Sequence, residues 1–232
     1  KRGYRHLKLH EITEAPIKAA RDVAGADIPI MVDCNCPWTV DEAVAMARTL
    51  APLNLKWLEE PVWPPEDHRG LARVQRDGGI PTAAGENAML PEFKSMFEHA
   101  ALSFAQPSIT KVGGVTMMRK VMTLADSFGV TVVPHSAYFG PGLLASIHCI
   151  AAMGIPTLVE RYDADFAENF LHDAIHPRSN GCIPVPQGPG LGVDPDLKLV
   201  EKLRADGSAA VSGDAIEPIV LSGRDDATGK AH

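Results

Sequence analysis

Long apolar runs are missing from this chain: nothing in its 232 residues approaches the ~20 consecutive apolar positions that a membrane-spanning helix needs. Cysteine is scarce. The four present, Cys34, Cys36, Cys149 and Cys182, are too scattered to frame a disulfide scaffold in a chain of this length. Cys34 and Cys36 form C-x-C rather than the C-x-x-C of a zinc ribbon or redox pair, so the expectation is reduced thiols in a cytoplasmic protein. Positive charge is also short, with 22 Lys and Arg against 29 Asp and Glu for a net −7. That balance argues against a nucleic-acid binder working through bulk charge, while leaving room for a locally positive site for an anionic ligand. An initiating Met and a secretory signal are both lacking at Lys1, and the quick entry into an apolar stretch reads as a cut start. What is present is 45% hydrophobic and 22% charged, a globular composition able to bury a sizeable core.

Short apolar runs alternate with segments of helical periodicity. The runs are His6–His10, Ile28–Asp33, Leu55–Glu59, Thr82–Glu86, Leu102–Pro107, Val130–His135 and Thr157–Glu160; the helical segments are Ile17–Val23, Val40–Leu50, Pro65–Gln75, Pro91–His99, Val115–Phe128 and Leu143–Met153. Thr39 followed by Glu42 has the capping-box spacing, and Pro65 and Pro91 sit where a first helical turn accepts proline. Strands alternating with helices of this length predict βαβ units and a parallel sheet. The run ends Asp33, Glu59, Glu86, Ser108, His135 and Glu160 fall 26, 27, 22, 27 and 25 residues apart, each a polar residue closing an apolar strand. Polar groups at nearly every strand end favour a (β/α) barrel, which gathers all such ends on one face, over a doubly wound sheet with a single switch point. Seven strands are countable where a closed barrel has eight. Pro and Gly crowd Ile183–Pro195, an irregular loop, and from about Ala205 the chain is small and polar, which predicts a loose tail. The expected organisation is α/β: a TIM-like barrel over residues 1–193 and a peripheral tail over 194–232.

Asp33, Glu59 and Glu86 end three consecutive strands and would converge at one side of the barrel mouth. Three anions that close cannot all stay ionised without a cation, and all-oxygen ligation selects a hard ion such as Mg²⁺. Strand alternation aims Asn35 the same way as Asp33. Glu60, next to Glu59, is expected to point to the other side of its strand and to make an ion pair. Two histidines, His10 in L-K-L-H and His135 in V-V-P-H, also close strands and face the same mouth from different parts of the ring. Trp38 and Trp63 either wall the pocket or anchor loops.

The motifs V-D-C-N (32–35), W-L-E-E-P (57–61) and A-G-E-N (84–87) resemble the metal-binding strands of the enolase superfamily. K-V-G-G-V-T (111–116), P-H-S (134–136), V-E-R (159–161) and P-G-L-G-V (189–193) resemble its mandelate racemase/muconate lactonizing enzyme branch, and the likeness runs over roughly residues 4–195. It implies Mg²⁺ on Asp33, Glu59 and Glu86, stabilising the enediolate formed when a base removes the proton α to a substrate carboxylate. It also implies a barrel here without its first strand and without the family's N-terminal capping domain.

The family's K-x-K is Lys8-Leu9-His10 in this chain, which gives Lys8 the substrate carboxylate and makes His10 a candidate base. His135 matches the histidine of mandelate-racemase-like members, but the aspartate that orients it there is replaced by Ser108, which could accept a hydrogen bond from the imidazole instead. Glu160 matches a glutamate that donates to the substrate carboxylate. Lys111 is expected to support strand packing or a neighbouring carboxylate. Tyr138, in the glycine-rich loop after His135, is a candidate for substrate hydroxyls. The outcome implied first is dehydration of an acid sugar; racemisation or epimerisation by His10 and His135, a lactonizing cycloisomerase, and an incomplete non-catalytic chain are the alternatives. The expected partners are a small carboxylate and, from the family, further copies of the same chain.

Overall fold

Six of the seven apolar runs form parallel strands joined by helices. The computed structural model describes residues 4–154, 157–162, 171 and 174–204. In chain order come β1 (Leu7–His10), α1 (Glu14–Ala24), β2 (Ile30–Asp33), α2 (Val40–Leu50), β3 (Trp57–Glu59), α3 (His68–Asp77), β4 (Thr82–Ala84), α4 (Leu90–Glu98), β5 (Phe104–Ala105), α5 (Gly114–Ser127), β6 (Thr131–Val132) and α6 (Pro141–Ala152). The sheet follows the same order, β1 to β6, every pair parallel. Register places His10 beside Asp33, Asp33 beside Glu59 and Glu59 beside Ala83, so the polar strand ends form one row across the sheet.

Alternation along each strand sorts the side chains. Ile30, Val32 and Leu58 pack outward with Ala43, Val44 and Ala47 of α2 and Val74 of α3. Met31, Trp57, Ala83 and Val133 pack inward with Phe104 and Leu158, joining both ends of the sheet through one interior layer. The inward parity of Met31 and Trp57 also carries Asp33 and Glu59 to the mouth, where both are buried.

The seventh run, 157–160, is not a strand among the described residues; side chains tie it in place instead. Thr157 Oγ1 donates to Val132 O, and Ser136 Oγ donates to the Glu160 carbonyl. It nonetheless stands between β6 and β1, because Glu160 reaches Lys8 across the gap.

Helix limits follow their caps. Thr39 and Glu42 form the expected capping box, and α2 starts at Val40. Pro65 lies outside α3, contrary to the sequence reading, because Asp67 caps that helix by accepting from Gly70 N at 2.8 Å. Gly85, with φ 121°, sits so near α4 that a Cβ there would fall 2.5 Å from the Phe93 ring. Only glycine lets the chain pass at that point and deliver Glu86 to the mouth.

A second unit begins at Asp196. Its helix α7 (Leu197–Lys202), which the tail composition did not suggest, is capped by Asp196 accepting from Lys198 N and Leu199 N. The loose tail expected from about Ala205 lies outside the described residues. No helix among the described residues is long and apolar enough to cross a membrane. All four cysteines are free.

Candidate active site

Lys8 projects from the middle of β1 into a ring of carboxylates. Its Nζ lies 2.9 Å from Asp33 Oδ2, 2.6 Å from Glu59 Oε1 and 2.6 Å from Glu160 Oε1. Burial alone would lower this ammonium's pKa, but the charges of Glu59, Glu160 and Asp33 more than reverse that and hold it well above the ordinary lysine value. Lys8 therefore stays charged. Asp33 also feels burial pushing upward, yet Lys8 draws its carboxyl below the usual range. Glu59, deeper, goes the other way: burial raises it, and Asp33 adds to that rise against the pull of Lys8. Trp57 Nε1 donates to Glu59 Oε2 at 3.0 Å, the backbone N–H of Asn35 donates to Asp33 Oδ1 at 3.1 Å, and Gln106 donates to Glu59.

A second group stands across the mouth. Glu86 Oε1 accepts from Lys111 at 3.0 Å, the neighbouring-carboxylate role expected of that lysine, and from Asn87 at 3.0 Å. His135 Nδ1 lies 3.1 Å from Glu86 Oε2 and 3.3 Å from Glu160 Oε2, but neither contact has hydrogen-bond geometry, and Nδ1 is buried without a hydrogen-bond partner. Burial lowers the His135 pKa, outweighing Glu160 and Glu86, and favours the neutral ring. Glu160 joins the groups: Oε1 serves Lys8, while Oε2 accepts from Ser136 N at 3.0 Å.

Ser108 does not reach His135 as a hydrogen-bond partner. Its hydroxyl pairs with the Tyr138 hydroxyl and with Thr110 Oγ1 at 3.2 Å, and Thr110 donates to Tyr138 at 2.7 Å. The Tyr138 ring meets His135 edge-on with centroids 5.7 Å apart. His10 sits at the rim, its side chain 55% exposed, 3.7 Å from Asp33 and 3.0 Å from the Asn35 amide. The two histidines occupy opposite ends of the sheet.

Two sequence readings are corrected here. Asn35 does not continue strand alternation: it and Cys36 adopt left-handed backbone, φ 51° and 55°, so Asn35 meets Asp33 through its main chain and His10 through its side chain. Glu60, at φ 44°, likewise leaves the strand path. It forms no ion pair among the described residues; it accepts from Gly85 N and Cys36 Sγ, and burial with the charges of Glu86 and Asp33 pushes it up to about 7. Of the two readings left open for Trp38 and Trp63, the contacts favour loop anchoring: Trp38 pairs with Val62 and its carbonyl accepts from Trp63 N at 2.8 Å, while the Trp63 side chain stays exposed. Gln106 and Thr110 went unnoticed in the sequence, where an apolar-run residue or a lone threonine carries no signal.

Among the described residues no three His, Cys, Asp or Glu side chains stand grouped as a metal centre, because Lys8 lies between Asp33 and Glu59 and Glu86 is turned to Lys111. The donor set still fits a hard divalent ion. Asp33, Glu59, Glu60, Glu86 and Glu160 outnumber Lys8 and Lys111, and buried anions in excess call for further positive charge. The unpartnered Gln106 Oε1 and His135 Nδ1 are the only buried polar side-chain atoms without a hydrogen-bond partner among the described residues, and both belong to this mouth.

Residues 1–199 match the family model described as enolase C-terminal domain-like. A 3,6-anhydro-alpha-L-galactonate cycloisomerase of Streptomyces coelicolor is 32% identical over 188 residues, 81% of this chain and 50% of that protein. An arabinonate dehydratase of Saccharolobus solfataricus is 32% identical over 182 residues, 76% of this chain and 47% of that protein. Among solved structures, a racemase from Streptomyces coelicolor A3(2) with bound magnesium superposes with a TM-score of 0.69 at 32% identity, covering 87% of this chain and 57% of that one. The chain spans about half the length of the relatives it matches.

Proposed function

Because this chain belongs to the mandelate racemase/muconate lactonizing enzyme branch of the enolase superfamily, we propose that it removes the proton α to the carboxylate of a small acid and dehydrates an acid sugar. The observation that carries this reading is the meeting of Lys8, Asp33, Glu59, Glu86, His135 and Glu160 at one end of the sheet. Relatives named as an arabinonate dehydratase and an anhydrogalactonate cycloisomerase support the substrate class.

Asp33, Glu59 and Glu86 would hold Mg²⁺, which when bound supplies the positive charge that makes loss of the α-proton affordable. Lys8 attracts the substrate carboxylate, and Glu160, when protonated, donates to it. His135, kept neutral by burial, accepts the α-proton. The electron pair left behind forms an enediolate and then expels the β-hydroxyl, which leaves as water with a proton from His10; the enol product becomes a 2-keto acid. Asn35, Ser108 and Tyr138 would meet substrate hydroxyls.

One observation favours a second outcome. His10 and His135 come from opposite ends of the sheet, the arrangement needed to remove a proton on one face and return it on the other. The test is proton NMR of the full-length protein with Mg²⁺ in D₂O against a panel of acid sugars including arabinonate. Loss of the α-proton signal with a 2-keto product supports dehydration. Deuterium at the α-carbon without loss of water supports epimerisation, and no exchange with any acid overturns both.

A further inference from the structure

Three carboxylates hold Lys8: its Nζ donates to Glu59 and Glu160 and forms an ion pair with Asp33 at 2.9 Å. The oxygens involved are specific. Asp33 offers Oδ2 to Lys8 while its Oδ1 already accepts from Asn35 N; Glu59 offers Oε1 while its Oε2 already accepts from the Trp57 indole. A metal ion drawing on Asp33 and Glu59 would meet Lys8 on both carboxylates, at the oxygens that carry no other donor. Two cations cannot both sit against the same pair of oxygens in a buried site, since unit charges a few ångströms apart repel by several kcal/mol even at an effective dielectric of about 20. Glu160 is different: it lies outside the three-carboxylate metal set, and its Oε1 contacts Lys8 at 2.6 Å.

We propose that Lys8 is an internal counter-cation that competes with the divalent ion for Asp33 and Glu59, so that metal binding moves the ammonium off those two and onto Glu160. This inference rests on the metal reading made above. It gives the reaction an order, because Lys8 becomes available to a substrate carboxylate only after the metal has loaded. By reciprocity, whatever holds Lys8 away from Asp33 and Glu59 strengthens metal binding by the same factor.

Titration calorimetry of the full-length protein with Mg²⁺ tests it. Lys8→Met removes the competitor and is expected to bind Mg²⁺ at least about tenfold tighter than the wild type, while Lys8→Arg, which keeps the charge, binds no tighter. Equal or weaker binding by Lys8→Met, with the wild type still binding, overturns the competition alone. Absence of Mg²⁺ binding in every form overturns the metal reading and the competition with it. Should Lys8→Met fail to fold, the wild type decides: acetylation of Lys8, followed by mass spectrometry, is expected to run several-fold faster with Mg²⁺ than with chelator, and an unchanged or slower rate overturns the proposal.

Discussion

Around β1 to β3 the mouth is saturated with partners: Lys8 grips three carboxylates, and Asp33 and Glu59 each hold a further N–H donor. Around β4 to β6 the same kinds of group are left incomplete, with His135 against Glu86 and Glu160 but bonded to neither. A satisfied buried network fixes geometry, whereas an unsatisfied one leaves a group ready to exchange a proton. The comparison teaches a division of labour: the first half of the sheet holds charge in place, and the second half leaves the His135 ring nitrogen without a hydrogen-bond partner.

Substitutions can break that comparison. The largest effect is expected at His135→Asn, which removes the proposed base: α-proton exchange in D₂O should fall by about 10²–10⁴-fold with the thermal melt unmoved. Glu59→Ala strikes the saturated half and should show the reverse character, costing about 1–3 kcal/mol in urea unfolding because the buried Trp57 indole N–H loses its acceptor while Lys8 keeps Asp33 and Glu160. Tyr138→Phe removes one hydroxyl from the Ser108–Thr110–Tyr138 cluster and should lower kcat by roughly tenfold or less, the worth of one hydrogen bond. The smallest effect concerns Glu60. The folded chain binds its proton more tightly than the unfolded chain does, so this group favours folding at low pH, and its contribution is lost as pH rises from 4.5 toward about 7. Glu60→Gln should flatten that part of the stability profile measured in chelator, and an unchanged slope would assign it elsewhere.

Much of this architecture is written locally in the sequence. Helix α2 begins and ends where Thr39, Glu42 and the apolar spacing place it, and the row Asp33–Glu59 follows from two strands in register. Reading failed where backbone leaves the regular regions. Asn35, Cys36 and Glu60 are left-handed without being glycine, so counting along a strand misdirects the readings made for Asn35 and Glu60. It failed again where a long side chain chooses among distant partners: Lys8 and Glu160 lie 152 residues apart, and no periodicity predicts that pair. The seventh run was found by its apolar pattern, yet side-chain bonds rather than a ladder hold it.

Trp57 gives the site an optical consequence. Its indole donates to Glu59 and its ring packs on Phe104, centroids 4.8 Å apart, deep in the interior layer. Of the chain's three tryptophans, this one is bonded to a carboxylate of the site, while Trp63 faces solvent. Its fluorescence is therefore a native signal for any cation that takes hold of Glu59, readable without a label and before any substrate is known.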